Sequence, residues 1–167
     1  MSIPCIDREL TEAARDAAEA IKRAKLTVVT AESCTAGLIS AALSHADGAS
    51  EILHGSFVTY TKDNKSKALG VDRKLLSEKS AVCAEVAEQM ACGALDRSPA
   101  TLALAVTGVL GPEPDEDGNP VGLVYISVCR KDAKPETVEK IYERDDADAL
   151  RRRVTLDALD ALRAATK

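Results

Sequence analysis

The stretch Leu26-Thr-Val-Val-Thr-Ala-Glu-Ser-Cys-Thr-Ala-Gly37 decides the fold of this chain. Its first half, Leu26 to Ala31, is apolar and rich in β-branched residues, which is typical of a buried strand. Small and apolar residues follow from Thr35 to His45, and they predict a helix that the Thr35 side chain caps. A buried strand that leads directly into a helix indicates an α/β fold, with Glu32-Ser33-Cys34 at the junction.

The rest of the chain continues this alternation of strands and helices. Further strands are predicted over 55–60, 101–107, 121–128 and 136–142. Further helices are predicted over 6–25, after Asp72 and over 84–97. A last helix carries Leu150, Val154, Ala158 and Leu162 on one face. Because the last two strands follow each other closely, they predict an antiparallel hairpin. We therefore expect an α/β fold, with residues 1–167 forming a single three-layer α/β/α domain around a mixed, mostly parallel sheet.

Composition limits the classes of partner. The chain has 167 residues, 46% of them hydrophobic, and 22 Lys and Arg against 27 Asp and Glu give a net charge of −5. An acidic chain lacks the broad basic surface that binds nucleic acid, and 2% aromatic residues leave few rings for stacking on bases. No apolar run reaches membrane-spanning length. We expect neither direct nucleic-acid binding nor membrane association.

The cysteines indicate a cytoplasmic protein with reduced thiols. There are five of them, irregularly spaced and without a Cys-x-x-Cys pair, which argues against a disulfide framework or a zinc site. The sequence begins without a basic and apolar leader, so we expect no signal peptide. The cysteines are Cys5, Cys34, Cys83, Cys92 and Cys129.

Three polar segments follow predicted strands, at 32–35, 60–65 and 107–112. Ligands collect at the carboxyl ends of strands in such folds. Ser33 is the first candidate nucleophile, because free backbone N–H groups at the start of a helix can stabilise an oxyanion beside it. The alternative is that Ser33 only caps the helix. Cys34 is a rival nucleophile, or else a buried and inert thiol.

A serine nucleophile needs a base, and histidine is poorly placed to supply one. Neither His45 nor His54 lies at a predicted strand end with Ser33, so both are interpreted as structural or surface residues. A lysine with a lowered pKa can substitute. Lys65 is preferred to Lys62, because a residue further from the strand can fold back over the neighbouring strand end; the alternative is a solvated surface lysine.

Two further groups could bind an anion. Gly108 and Gly111 flank a turn before Pro112, where backbone N–H groups can approach a ligand, although Gly and Pro are also ordinary in loops. Arginines at 144 and 151–153 alternate with aspartates near the start of the last helix, a pattern typical of a solvated, salt-bridged face.

Taken together, three segments resemble one family. They are Thr30 to Gly37, Gly55 to Tyr60 with Lys65, and Val106 to Pro112 with Pro120 to Val124. Over nearly the whole chain, they are similar to the CinA C-terminal domain, of the PncC type of nicotinamide mononucleotide deamidase. The family is also known for its competence and damage-inducible members.

This resemblance implies hydrolysis of the carboxamide of nicotinamide mononucleotide to the carboxylate and ammonia, in pyridine-nucleotide salvage. It implies Ser33 as nucleophile, Lys65 as base, and Tyr60 as a residue that assists proton transfer or orients the lysine. It also implies no metal or cofactor, a pyridine nucleotide as the small-molecule substrate, and a homodimer or larger homo-oligomer. The substrate-binding residues would be Glu32, Cys34, Thr35, Gly37, Thr107, Gly108, Gly111, Arg144 and Arg151.

The chain departs from the family pattern on the side expected to meet phosphate. Four acids, at 113 and 115–117, replace the usual glycines of a loop, and without them the net charge would be −5 + 4 = −1. An arginine expected before the last helix is missing from Asp145-Asp-Ala147, and Arg144 or Arg151 is predicted to replace it. The alternative function is that of a non-catalytic nucleotide-binding or regulatory paralogue with the same fold.

Overall fold

Five strands and seven helices alternate through residues 6–167, the part of the chain that the computed structural model describes. Cys5 lies outside these residues. The strands are β1 (Val28–Glu32), β2 (Leu53–Val58), β3 (Leu102–Gly108), β4 (Leu123–Arg130) and β5 (Glu136–Ile141). The helices are α1 (Arg8–Arg23), α2 (Leu38–Ser44), α3 (Ala49–Ile52), α4 (Lys62–Leu69), α5 (Arg73–Glu78), α6 (Ala84–Asp96) and α7 (Ala147–Ala164).

The strands form one sheet in the order β2-β1-β3-β4-β5. β1 runs parallel to both β2 and β3, whereas β4 runs antiparallel to β3 and β5, so four of the five strands point the same way. All five residues of β1 are buried, as its apolar and β-branched sequence predicts for a central strand. The prediction of a mixed, mostly parallel sheet that ends in an antiparallel hairpin is confirmed.

Helices cover both faces of the sheet and complete three layers. We call α1, α2, α3 and α7 the first layer and α4, α5 and α6 the second layer. Leu10, Ile39 and Leu159 belong to the core under the first layer, and Leu69 and Met90 belong to the core under the second. The predicted face of α7 is buried throughout, at Leu150, Val154, Ala158 and Leu162.

A glycine fixes the distance between two helices of the second layer. A Cβ atom at Gly93 of α6 would lie 2.0 Å from the carbonyl oxygen of Leu69, at the end of α4. Only glycine allows so close an approach. The position of α4 relative to α6 is therefore set by direct backbone contact.

The helix after β1 begins later than predicted. α2 starts at Leu38 behind Gly37, which adopts a left-handed conformation with φ of 95°. Thr35 does not cap this helix, because its hydroxyl donates to a Glu32 carboxylate oxygen at 2.8 Å. The same carboxylate accepts the N–H groups of Ile39 and Ser40, so Glu32 caps α2 instead.

The helices are amphipathic rather than uniformly apolar. Even α7, which has 18 residues, carries several arginines and aspartates. Within residues 6–167, no helix is both long and apolar enough to cross a membrane.

Candidate active site

A cavity of about 600 Å³ opens at the carboxyl ends of the central strands. Ser33 follows β1, Lys65 lies on the helix after β2, and Thr107 lies near the end of β3; all three line this cavity. The three polar segments of the sequence therefore meet at one place. This is the edge where α/β folds usually bind ligands.

Ser33 and Lys65 are in direct contact at the bottom of the cavity. The Lys65 ammonium nitrogen Nζ lies 2.7 Å from the Ser33 hydroxyl oxygen Oγ. Both side chains are buried, and Lys65 is only 1% exposed. Thr61 caps the start of α4, because its hydroxyl accepts the N–H of Asn64. Lys65 lies one turn further along α4, from where its side chain reaches Ser33.

Two backbone carbonyls fix the orientation of the lysine. Nζ also donates to the carbonyl oxygens of Thr59 at 2.7 Å and Tyr60 at 3.2 Å. A neutral amine has two N–H groups and one lone pair. If the two carbonyls take both N–H groups, the lone pair is left facing the Ser33 hydroxyl, which is the geometry that a general base requires.

Burial also prepares the lysine to act as a base. It lowers the pKa of Lys65 from 10.5 to about 8, because the charged form loses its hydration. With this pKa, roughly a tenth of the lysine is neutral at pH 7. A solvated lysine would be almost entirely protonated at that pH, so the alternative of a surface lysine does not fit this residue.

A buried carboxylate supports the turn that carries Ser33. Glu32 has no exposed surface, and its oxygens accept hydrogen bonds at 2.8–3.2 Å. The donors are the hydroxyls of Thr30 and Thr35 and the N–H groups of Gly37, Ile39 and Ser40. Sequence reasoning placed Glu32, Thr35 and Gly37 among the residues that contact substrate. The structure places them behind the cavity wall instead, because these hydrogen bonds draw them toward the start of α2.

Two backbone N–H groups beside Ser33 are available to a ligand. The N–H of Ala36 donates to the Ser33 carbonyl and that of Gly37 to Glu32. Within the described part of the chain, the N–H groups of Cys34 and Thr35 have no hydrogen-bond acceptor. They follow the nucleophile directly, where an oxyanion would form.

Cys34 is a poor nucleophile in this environment. It lines the cavity, but its thiol is buried, and burial raises its pKa to about 12. The thiol therefore stays protonated at neutral pH, which favours Ser33 over its neighbour. Neither His45 nor His54 lines the cavity.

Two glycines, at the end of β3 and in the turn after it, line the cavity. A Cβ at Gly108 would lie 2.8 Å from the Leu123 carbonyl oxygen, so the close approach of β4 requires this glycine. Gly111 has φ of 95°, which turns the chain into the next loop. Beside them, the Thr107 hydroxyl is engaged with the Ala81 carbonyl at 2.8 Å.

Only one of the two predicted replacement arginines is on the wall. Arg151 lines the cavity, where it donates to the Cys34 carbonyl at 3.3 Å and to Asp148 at 2.7 Å. Arg144 is exposed outside the lining and donates to the Pro112 carbonyl at 2.8 Å. The prediction that Arg144 contacts substrate directly does not fit the structure, because its hydrogen bond to Pro112 holds the Arg144 side chain against the loop after β3.

Tyr60 stands at the mouth of the cavity. Tyr60 is 70% exposed, and its backbone carbonyl, rather than its hydroxyl, contacts Lys65. This placement suits the predicted role of orienting the lysine. A role in proton transfer would require the ring to turn inward.

Sequence reasoning missed how the acidic loop is held. Its four acids all line the cavity. Lys62, which was set aside as a base, lies 3.0 Å from a Glu116 oxygen and 2.8 Å from an Asp117 oxygen. Lys62 and these two acids are far apart in the sequence, and no sequence pattern predicts that they pair.

Comparison with known proteins identifies the family. The family model of the CinA C-terminal domain matches residues 10–166. This chain belongs to that family. Among curated relatives, it is 41% identical over 138 residues to a CinA-like protein of Geobacter sulfurreducens, and 42% identical over 139 residues to one of Mycolicibacterium gilvum. Each alignment covers 83% of this chain but 33% of the relative, so this CinA domain spans about a third of the length of those proteins.

Solved structures of the CinA family share the fold. The competence/damage inducible protein CihA from Agrobacterium tumefaciens superposes with a TM-score of 0.92 at 37% identity, covering 100% of both chains. A CinA superfamily protein from Escherichia coli gives a TM-score of 0.87 at 30% identity, covering 94% of this chain and 89% of the other. The predicted family and fold class are thus confirmed.

Proposed function

We propose that this CinA-family protein is an amidohydrolase in which Ser33 is the nucleophile and Lys65 the base. The 2.7 Å contact between Ser33 Oγ and Lys65 Nζ carries the proposal. It joins a buried hydroxyl to an amine whose pKa is lowered to about 8. A purely structural lysine would more commonly be paired with a carboxylate, whereas the hydrogen-bond partners of Lys65 in the described part of the chain are a hydroxyl and two carbonyls.

The reaction would proceed through an acyl-enzyme. Ser33 Oγ bonds to the carboxamide carbon while its proton passes to Lys65, and the carbonyl oxygen takes up the negative charge. The N–H groups of Cys34 and Thr35 would stabilise that charge. When the C–N bond breaks, Lys65 returns the proton to the leaving amine and ammonia departs. Water then attacks the ester with Lys65 again as base, which releases the carboxylate and restores Ser33.

The proposed substrate is nicotinamide mononucleotide or a closely related ribosylated pyridine carboxamide. This part rests on the family resemblance, together with a cavity whose volume of about 600 Å³ is in the range of small-molecule sites. The catalytic pair favours this function over the alternative of a non-catalytic paralogue, since a binding protein has no need of a buried base beside a hydroxyl.

Ammonia release from nicotinamide mononucleotide, with chromatographic detection of the carboxylate product, tests the proposal. We expect Ser33→Ala to lower kcat by about a thousandfold or more, because the nucleophile is lost. Ser77→Ala is the matched control, as Ser77 is an exposed serine of α5 outside the cavity lining. Full activity in Ser33→Ala would contradict the serine mechanism, whereas insensitivity of the wild type to iodoacetamide would exclude Cys34 as the nucleophile. Binding without hydrolysis by the wild type would point to the paralogue.

A further inference from the structure

Two cysteines lie in contact at the end of the sheet opposite the candidate active site. Cys92 lies on α6 and Cys129 near the end of β4, and their sulfur atoms are 3.8 Å apart. Because β4 runs antiparallel to β3, its last residues lie beside the first residues of β3, away from the edge that carries Ser33. Neither cysteine lines the cavity of the candidate active site. The proposed amide hydrolysis does not use this thiol pair.

A second, smaller cavity gives a reagent access to the pair. It has a volume of about 280 Å³, and both cysteines line it. Two acidic and two basic side chains also line it, so their charges cancel. A cavity of this size without excess charge suits a small neutral reagent. The charged residues are Asp96, Arg130, Lys131 and Asp132.

The two thiols have different environments. Cys92 is partly exposed, whereas Cys129 is 3% exposed and belongs to the core under the second layer. Burial, reinforced by the neighbouring Cys92 and Asp96, raises the pKa of Cys129 to about 12. The thiolate is the reactive form of a cysteine, so Cys129 is inert at neutral pH until another group activates it. Cys92 is therefore the thiol that an oxidant meets first.

The distance between the sulfurs is short enough for them to bond. Sulfur atoms 3.8 Å apart have to approach each other by less than about 2 Å to form a disulfide. β4 holds Cys129 in register with Ala103 of β3, so the approach falls mainly to the Cys92 side chain and to α6. Cys34 and Cys83, in contrast, have no second cysteine among their hydrogen-bond partners in the described part of the chain.

We propose that Cys92 and Cys129 form an oxidation site, at which a hydroperoxide converts the two thiols into a disulfide within the chain. Cys92 is the thiol that reacts with the peroxide, and Cys129 is the thiol that closes the bond. The thiol pair and the pair of Ser33 with Lys65 lie in separate cavities, so this proposal does not rest on the proposed function.

The two steps balance with hydrogen peroxide as the oxidant. The Cys92 thiolate bonds to one peroxide oxygen and the O–O bond breaks, which leaves a sulfenic acid and a hydroxide that takes up the proton Cys92 released. The Cys129 sulfur then bonds to the Cys92 sulfur as the S–O bond breaks, and the departing hydroxide takes the Cys129 proton. Two thiols are oxidised, and one peroxide is reduced to two water molecules.

Peptide mapping of the wild-type protein after treatment with hydrogen peroxide tests the proposal. The denatured protein should lose about two of its five free thiols, and dithiothreitol should restore them. Trypsin places Cys92 and Cys129 on separate peptides, and a protease that cuts after Glu85 and Glu88 separates Cys92 from Cys83. Mass spectrometry should then find Cys92 joined to Cys129. No disulfide, a disulfide to another cysteine, or one between two chains would overturn the proposal.

Variants test the order of the two thiols. In Cys129→Ala, peroxide with dimedone should label Cys92 as a trapped sulfenic acid, whereas Cys92→Ala should leave Cys129 at least about tenfold less labelled. The matched control Cys83→Ala should form the same disulfide as the wild type. Equal labelling of Cys92 and Cys129, or loss of the disulfide in a folded Cys83→Ala protein, would contradict these roles. Circular dichroism checks the fold, and the wild-type map stands without the variants.

Discussion

The bottom and the mouth of the cavity use the same kinds of side chain in opposite settings. Lys65 is buried at the bottom and Glu32 is buried behind the wall next to it, and both make hydrogen bonds of 2.7–3.2 Å to backbone or hydroxyl groups. At the mouth, Lys62 and Glu116 form a salt bridge in which the Glu116 side chain is 74% exposed. Burial changes the pKa of a lysine and the strength of its hydrogen bonds, whereas an exposed pair is weakened by water and salt. The bottom is thus suited to chemistry, whereas the mouth holds partly exposed ion pairs.

The sharpest way to test this contrast is to compare the two lysines. Lys65→Met should lower kcat for the amide by about a thousandfold, because within residues 6–167 no other basic side chain is hydrogen-bonded to Ser33. Lys62→Met should change kcat by less than about threefold, because it removes two partly exposed ion pairs and leaves the contact between Ser33 and Lys65 in place. Steady-state ammonia release measures both, and circular dichroism checks that each variant is folded. A similar loss in the two variants would remove the distinction between bottom and mouth.

The two carboxylates offer a comparison in stability. Glu32→Gln should lower the free energy of unfolding by about 3 kcal/mol, because an amide group would place N–H donors against the N–H groups of α2. Glu113→Gln should change it by less than about 0.5 kcal/mol, as Glu113 is exposed. Urea denaturation followed by far-ultraviolet circular dichroism gives both values. Equal stability of the two variants would show that Glu32 does not support the nucleophile turn.

A smaller effect is expected in the pH dependence of kcat/KM. The pKa of Lys65 is lowered to about 8, and only the neutral amine accepts a proton. Therefore kcat/KM should fall about tenfold for each pH unit below 8 and level off above it. Lys62 cannot produce this profile, because Asp117 raises its pKa above 10.5 and it stays charged throughout. A flat profile between about pH 6 and 9 would contradict the role of Lys65 as base.

Sequence reasoning found the central strands and the pairing of Ser33 with Lys65 because both depend on short-range patterns. β-branched runs predict strands, and parallel strands bring their carboxyl ends to one edge. The role of Glu32 could have been inferred from the sequence as well. An acid directly before a run of small residues can cap a helix, but Thr35 offered a simpler capping residue.

The mouth of the cavity could not be predicted in the same way. The pairs of Lys62 with Glu116 and Asp117 join positions more than fifty residues apart, through side chains that many other geometries could satisfy. The position of Arg144 also depends on a loop, where backbone direction is not fixed by residue pattern. Sequence patterns specify buried elements more strongly than they specify contacts between exposed segments.

The bond between Ser33 and Lys65 also joins the two helical layers. The turn of Ser33 leads into α2, whose Ile39 packs in the first layer, whereas Lys65 lies on α4, which Gly93 seats against α6 in the second. A relative slip of about 1 Å between the layers would carry the 2.7 Å contact beyond hydrogen-bond length. The contact between Ser33 and Lys65 therefore depends on the relative position of the two helical layers on either side of the sheet. Mutations far from the cavity that shift either layer should lower kcat while the protein is still folded.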